Sequence, residues 1–264
     1  MQARHTDYER YFRESEESCQ KYYLPYLKEH LPFTFGEGSK VLEVGCGLGG
    51  NLAPFAQMGC NVSGVDLDSL SINWANDLFK KYELTGTFTY CDIHDYKDSN
   101  SYQFIMLHDA IEHIKDKQRL MLRLRELLDE EGVLYIAFPA WCMPFGGHQQ
   151  VARTKFVSKC PFIHLLPRGI FAWLLRQLGE PEGVIKDFLG LRETKMSIQA
   201  FQRLCEETDL EIINRRLYFI NPHYEVKFGL KPRKLWGIIA SIPYVRDFFS
   251  TSCHYLIRKK GAKR

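Results

Sequence analysis

A chain of 264 residues with 45% hydrophobic and 25% charged residues is long enough to bury a substantial core as one domain, or one domain with insertions, of ordinary globular composition. Its net charge of +3 is too small to point to a nucleic-acid partner, and the one basic run, Arg258 to Arg264, reads as a solvated terminus. Eight cysteines without a CxxC pair, a charged N-terminus and a longest apolar run (Leu235 to Val245, with Pro243 inside it) too short for a bilayer place the chain in the cytoplasm as a reduced, soluble protein.

Strand and helix signals then alternate along the chain. Lys40 to Val44 is a short apolar run ending in glycines, as a buried parallel strand would be. Asn51 to Met58 reads as a helix with Pro54 in its first turn, and Asn61 to Val65 as the second strand with Asp66 at its end. Ser69 to Tyr82 is helical behind a cap at Asp68 or Ser69; Thr87 to Cys91 and Phe104 to Leu107 are further strands. Leu120, Leu124, Leu127 and Leu128 repeat at helical spacing between Asp116 and Glu130, Gly132 would stop that helix, and Val133 to Phe138 is the fifth strand. This is the pattern of a doubly wound α/β sheet with a parallel core. Residues 140 to 196 break the rhythm around a single predicted helix, Arg168 to Leu178. Ser197 then caps a helix with Ile198, Phe201, Leu204 and Cys205 on one face, and Leu210 to Ile220 and Ser252 to Arg258 are the last strands.

The stretch "VLEVGCGLGG", Val41 to Gly50, is a strand–glycine–helix turn of the kind that brings backbone N–H groups to a nucleotide or nucleoside. Gly45-x-Gly47-x-x-Gly50 suits a nicotinamide dinucleotide and Gly45-x-Gly47-x-Gly49 suits another nucleoside; Asp66, about twenty residues on, would hold a ribose in either case. Two features favour the second ligand. Glu43 lies inside the strand where dinucleotide folds carry apolar residues, and Asp92 in "TYCDIHD" ends the third strand as a second carboxylate.

"VLEVGCGLGGNL", "GVDLD", "YCDI", "FIMLHDAIEHI" and "EEGVLYIAFP", in this order and spacing over roughly residues 37 to 140, resemble the successive motifs of class I S-adenosylmethionine-dependent methyltransferases. The resemblance implies a Rossmann-like, mostly parallel seven-stranded sheet whose last strand is antiparallel. It divides the chain into an N-terminal helical cap (1–36), a cofactor-binding core (37–139), a substrate-binding insertion (140–196) and the rest of the sheet (197–264). It also implies S-adenosylmethionine as cofactor. Gly45, Cys46 and Gly47 would pass under its methionine part, Asp66 would hold the ribose, and Leu67 would pack on the adenine. Asp92 and Ile93 would bind the adenine edge, Leu107 or His108 would touch the methionine, and Glu43 would support the loop or the ammonium.

Methyl transfer further requires an acceptor aligned with the methyl, exclusion of water and often removal of a proton. His148, in "PFGGHQQ" after the fifth strand, is the candidate base, with His113 supporting it. Asp109, Glu112, His113 and His148 alternatively form a divalent-metal site, similar to an ExxEH run with a later histidine in some metal-dependent members of the superfamily, although Asp109 replaces the first glutamate. A third reading has Glu112 and His113 only brace the loop.

No "NPPY"-like amide-binding motif follows the fourth strand, where His108-Asp109-Ala110-Ile111 stands instead, so oxygen of a small-molecule, glycan or lipid-linked acceptor is the expected target. Tyr8, Tyr11 and Phe12 form either a lid over the cofactor, Tyr11 then reaching the substrate, or a surface-packed helix. Trp141 and Phe145 are candidates for the acceptor pocket, while Phe171 and Trp173 belong to a satellite core. The segment 228–249, "FGLKPRKLWGIIASIPYVRDFF", either touches a membrane surface or packs as a connection. The rival functions are an NAD-dependent oxidoreductase and a non-catalytic, methyltransferase-like binding subunit.

Overall fold

The computed structural model describes residues 7–98 and 101–262, so the first residues of the N-terminal segment and the end of the basic tail lie outside the described residues. The chain starts with α1 (Tyr8–Ser18) and α2 (Leu24–His30), joined by a widened π turn over Cys19–Tyr23. Asp7 caps α1 by accepting from the Arg10 N–H at 3.1 Å. The widened turn falls immediately before Pro25, which has no N–H to return to the preceding turn.

The sheet is built from β1 (Lys40–Val44), β2 (Asn61–Asp66), β3 (Thr87–Tyr90), β4 (Tyr102–His108) and β5 (Leu128–Phe138), with α3 (Ala53–Gln57), α4 (Ser69–Lys81) and α5 (Lys117–Leu127) as crossovers. An insertion carries α6 (Lys155–Lys159), α7 (Arg168–Gln177) and α8 (Glu182–Thr194). The chain then adds α9 (Ile198–Glu207), β6 (Leu210–Ile220), α10 (His223–Phe228), β7 (Arg233–Lys234), α11 (Gly237–Ser241), α12 (Val245–Phe249) and β8 (Ser252–Lys259). Strand order is β3-β2-β1-β4-β5-β8-β6-β7. The first five strands are parallel, and β8 runs antiparallel between β5 and β6.

This is the expected doubly wound sheet with an antiparallel last strand, but with eight strands instead of seven. The extra one, β7, is two residues long, too short to leave a periodic signal. Chain order reverses between β1 and β4, which opens a crevice over their carboxyl ends.

Alternation along the strands feeds a core on each face of the sheet. Leu42, Ile105, Ile136 and Phe138 join α5 and α9 through Leu124 and Phe201. Val41, Phe104 and Tyr135 join the N-terminal helices through Phe12 and Leu27. The insertion has its own apolar cluster, in which Phe171 packs with Leu175, Ile185 and Phe188. Trp173, expected in that cluster, is exposed on the other side of α7.

Two further expectations change. Gly132 does not stop a helix: α5 ends at Leu127, and Gly132 sits inside β5, where a Cβ would lie 2.8 Å from the Leu128 side chain and 2.9 Å from the Tyr102 carbonyl oxygen. α8 forms in a stretch expected to carry only the helix after Arg168, because Pro181 stands just before its first turn, where the missing N–H costs nothing. All eight cysteines are free thiols, and no described helix is long and apolar enough to cross a membrane.

Candidate active site

β1 delivers the chain into a turn in which Gly45, Gly47 and Gly49 all have positive φ (73°, 50° and 78°), a region closed to most side chains. A Cβ on Gly45 would lie 2.9 Å from the Ala110 Cβ, and one on Gly50 would collide with the Phe12 carbonyl. The loop is therefore wedged between the turn after β4 and α1, and only glycine lets them close on it. Asp66 fixes its shape: one carboxylate oxygen accepts from the Gly47 N–H at 2.8 Å, the other from the Asp68 N–H at 2.9 Å. Cys46 is buried, with its sulfur where a Cβ on Gly64 would fall.

A cavity of about 570 Å³ opens over the strand ends, lined by Gly45, Asp66, Leu67, Asp92, Ile93 and Asp109 among others. Asp92 accepts from the His94 N–H at 2.9 Å, and Leu67 stands 68% exposed, an apolar face turned to solvent beside two carboxylates. A smaller recess of about 160 Å³ continues along the loop past Tyr11, Cys46, Gly47, His108 and Asp109. Leu107 borders neither space; the strand alternation turns it into the sheet core, which leaves His108 as the residue facing the recess. Burial, then the charge of Asp109, pushes the Tyr11 hydroxyl up to about 12, so it faces the recess as a neutral phenol.

Glu43 lies beneath this loop, fully buried. One oxygen accepts from Asn51 Nδ2 at 2.7 Å and the other has no partner. Burial pushes its pKa from the ordinary 4.5 up to about 8; the Asn51 hydrogen bond opposes the rise and the charge of Asp66 adds to it. A carboxyl raised in this way keeps its proton in the fold and loses it in the unfolded chain. Its contribution to stability is thus complete below 4.5, erodes across the window up to about 8 and is gone above it. Glu43→Gln keeps the acceptor for Asn51 and removes the titration. The expected result is a melting temperature that matches wild type near pH 4.5 and exceeds it at about pH 9; equal melting curves at alkaline pH would contradict the assignment.

On the far side of Asp109 a cavity of about 440 Å³ is lined by Glu112, Phe145, His148, Asn221, His223, Tyr224, Lys227 and Phe228 among others. Asp109 borders all three spaces and takes φ +51°, an uncommon backbone state at the point where they meet. His148 also lies in the left-handed region, held by a pinned loop. The buried Gln149 donates to the Pro144 carbonyl at 2.9 Å, and His164 Nε2 lies 2.7 Å from the Trp141 carbonyl. The His113 and His148 rings stand 5.1 Å apart, edge to face. Burial first, and His113 second, lowers His148 to about 4; burial also lowers the more open His113.

Glu112 is buried with neither oxygen hydrogen-bonded, one of them 3.9 Å from His113 Nε2, and burial followed by the charge of Asp109 raises its pKa well above the carboxylate range. One ligand atom each from Glu112, His113 and His148 lies within 4.8 Å of the others. The donor set suits a divalent transition metal: two neutral imidazoles and a carboxyl that lacks any other partner. Asp109 is not among these residues. On a helix, the i, i+3, i+4 spacing would put Asp109, Glu112 and His113 on one face, but only Ile111–His113 forms a 3-10 turn, and Asp109 precedes it in a left-handed conformation.

Of the substrate candidates, Phe145 lines the 440 Å³ cavity, Tyr11 lines the recess by the glycine loop, and Trp141 lines neither, its ring meeting His164 edge to face at 4.8 Å. Tyr8 stacks on Trp74 and Phe12 is core, so only Tyr11 of the aromatic trio faces the recess beside the glycine loop. The stretch Asn221 to Lys227 is the part of the site that sequence reasoning passed over. Its α10 packs on α1, with His223 Nδ1 2.7 Å from Ser18 Oγ and Lys21 paired with Glu225 at 2.7 Å. The available signal was a histidine, a tyrosine and a lysine directly after a strand end.

The family described as "Methyltransferase domain" matches residues 16–214, more than half of the chain. A ubiquinone biosynthesis O-methyltransferase of Rickettsia typhi is 27% identical over 116 residues, covering 43% of this chain and 47% of that protein. An (S)-tetrahydroprotoberberine N-methyltransferase of Eschscholzia californica is 28% identical over 103 residues, covering 38% of this chain and 29% of that protein. The chain thus spans less than half the length of these curated relatives. The fold is shared with an S-adenosylmethionine-dependent methyltransferase of Clostridium acetobutylicum, with a TM-score of 0.58 and 11% identity over 93% of this chain and 92% of that one. The chain belongs to this family: it carries a class I S-adenosylmethionine-dependent methyltransferase domain, whose cofactor is S-adenosylmethionine. Of the two ligands that the glycine loop accommodates, the methyl donor is the one that goes with such a domain.

Proposed function

We propose that the chain methylates a hydroxyl oxygen of a small-molecule, glycan or lipid-linked acceptor seated in the 440 Å³ cavity, with His148 as general base and His113 supporting it. The observation that carries this reading is the placement of the two imidazoles beside Asp109, between the acceptor cavity and the cofactor cleft. When bound, the cofactor supplies an electrophilic methyl on a sulfonium, a good leaving group. Gly45 and Gly47 would let the backbone approach it, Asp66 and Asp92 would accept from its ribose and adenine, and Leu67 would cover the ring. His148, neutral at physiological pH, has a lone pair for the hydroxyl proton as the oxygen attacks, and the charge of Asp109 strengthens it as a base. Phe145 and Met143 would give the acceptor an apolar wall. Incubation with hydroxyl and amine acceptors, with adenosylhomocysteine release as the readout, tests the reading. Release with amines alone would overturn it.

The carboxyl of Glu112, without a hydrogen bond, favours a second reading, in which Glu112, His113 and His148 hold a divalent ion. Such an ion would lower the pKa of an acceptor hydroxyl and make a separate base unnecessary. A chelator separates the two. Under the base mechanism turnover after exhaustive chelation stays within about twofold of its starting value, against the factor of roughly a hundred or more that removing a catalytic group costs. A loss of that larger size, reversed by a divalent metal, replaces the base by the ion.

A further inference from the structure

The segment after β7 turns its apolar side chains outward. In α11, Ile239 and Ala240 pack against the sheet core, whereas Ile238 is 80% exposed and Trp236, just before it, 76%. Ile242, Tyr244, Phe248 and Phe249 continue this surface into α12. The charges of α12 point the other way. Arg246 and Asp247 are both buried, Arg246 donating to Gln202 at 2.7 Å and Asp247 accepting from the Ile198 N–H at 2.8 Å. The exposed charges between 228 and 249 are therefore Lys231, Arg233 and Lys234, all positive. The patch reaches the insertion, where Phe162 lies 6.3 Å from Phe248, ring to ring. At its start it becomes the wall of the acceptor cavity, through Phe228 and Leu230.

We infer that this face docks on an anionic lipid bilayer, and that the acceptor is an amphiphile whose hydroxyl-bearing head enters the cavity past Phe228 and Leu230 while its apolar part remains in lipid. A contiguous exposed set of aromatic and branched side chains marks an interaction surface. The exposed charges of the segment itself are three cations, Lys231, Arg233 and Lys234, with the acids Glu29 of α2 and Glu225 of α10 near them, and this balance favours the negatively charged bilayer among apolar partners. The surface is continuous with the cavity mouth, so docking puts the cavity where such an acceptor resides. With no described helix able to span a membrane, the contact is peripheral. The acceptor class rests on the hydroxyl-methylation reading; the docking does not.

The test is co-sedimentation of the full chain with vesicles of phosphatidylcholine alone or mixed with phosphatidylglycerol, together with sedimentation velocity in their absence. Wild type is expected to bind the phosphatidylglycerol vesicles, more weakly as salt rises. A Trp236→Glu/Ile238→Glu double variant is expected to bind at least tenfold more weakly, and so is a triple variant with Lys231→Glu, Arg233→Glu and Lys234→Glu. Unchanged affinity for adenosylhomocysteine shows that the variants are folded. No vesicle binding, or equal binding by the variants, would overturn the inference. So would a dimer that Trp236→Glu dissociates, because the patch would then belong to a second copy of the chain. Vesicle binding combined with methylation at nitrogen would remove the hydroxyl acceptor and leave the docking in place.

Discussion

Replacing His148 by alanine is expected to lower kcat by roughly a hundred- to ten-thousand-fold, the usual worth of a positioned general base. Affinity for S-adenosylmethionine should stay within about twofold, because His148 borders the 440 Å³ cavity proposed for the acceptor and not the 570 Å³ cavity proposed for the cofactor. The pH profile distinguishes a base from a packing residue. A base must be neutral to work, and His148 is lowered to about 4. The acidic limb of kcat/KM for wild type should therefore fall near 4, far below the ordinary imidazole value of 6.5. The same burial acts on stability in the opposite direction from Glu43. A histidine kept neutral in the fold but protonated in the unfolded chain loses stability as pH falls from 6.5 through about 4. Near-normal turnover of His148→Ala at saturating substrate removes the base.

The second large effect is expected at Asp66. Asp66→Ala removes the proposed ribose acceptor and also the two backbone contacts that hold the glycine loop, to the Gly47 and Asp68 N–H groups. Binding of S-adenosylmethionine and S-adenosylhomocysteine should weaken at least tenfold, about 1.4 kcal/mol or more. Asp66→Asn, which still offers one acceptor, should fall between wild type and alanine. Equal affinities for all three would place the ribose elsewhere.

Several parts of this architecture are written in local sequence. Asp68 and Ser197 cap their helices as their positions suggest, the first accepting from the Leu70 and Ser71 N–H groups and the second from Ala200. The central strands β4 and β5 are legible because burial on both faces demands long apolar runs. The glycine loop is legible because positive φ leaves few alternatives to glycine. Other parts depend on contacts between distant segments. Gly132 resembles a helix stop, yet what requires a glycine there is the approach of Leu128 and the Tyr102 carbonyl. Trp141 and Phe145 look equivalent in sequence, but His164, folded back from the insertion, takes the face of Trp141 and leaves Phe145 to the cavity. Asp109, in step with Glu112 and His113 along the sequence, has a left-handed backbone in place of a helical one and stays outside the group that Glu112, His113 and His148 form. The Asn221 to Lys227 wall exists only because α10 is clasped by Ser18, Lys21 and Tyr22 some two hundred residues earlier in the chain.

Calorimetric titration of the unaltered chain with S-adenosylhomocysteine and, separately, with NADH tests most directly the claim that the cleft over β1 and β4 is a methyl-donor site. Binding of the homocysteine nucleoside in the micromolar range, roughly −8 kcal/mol, with no measurable heat from NADH, is the predicted result. Binding of NADH instead, or of neither ligand, would contradict it.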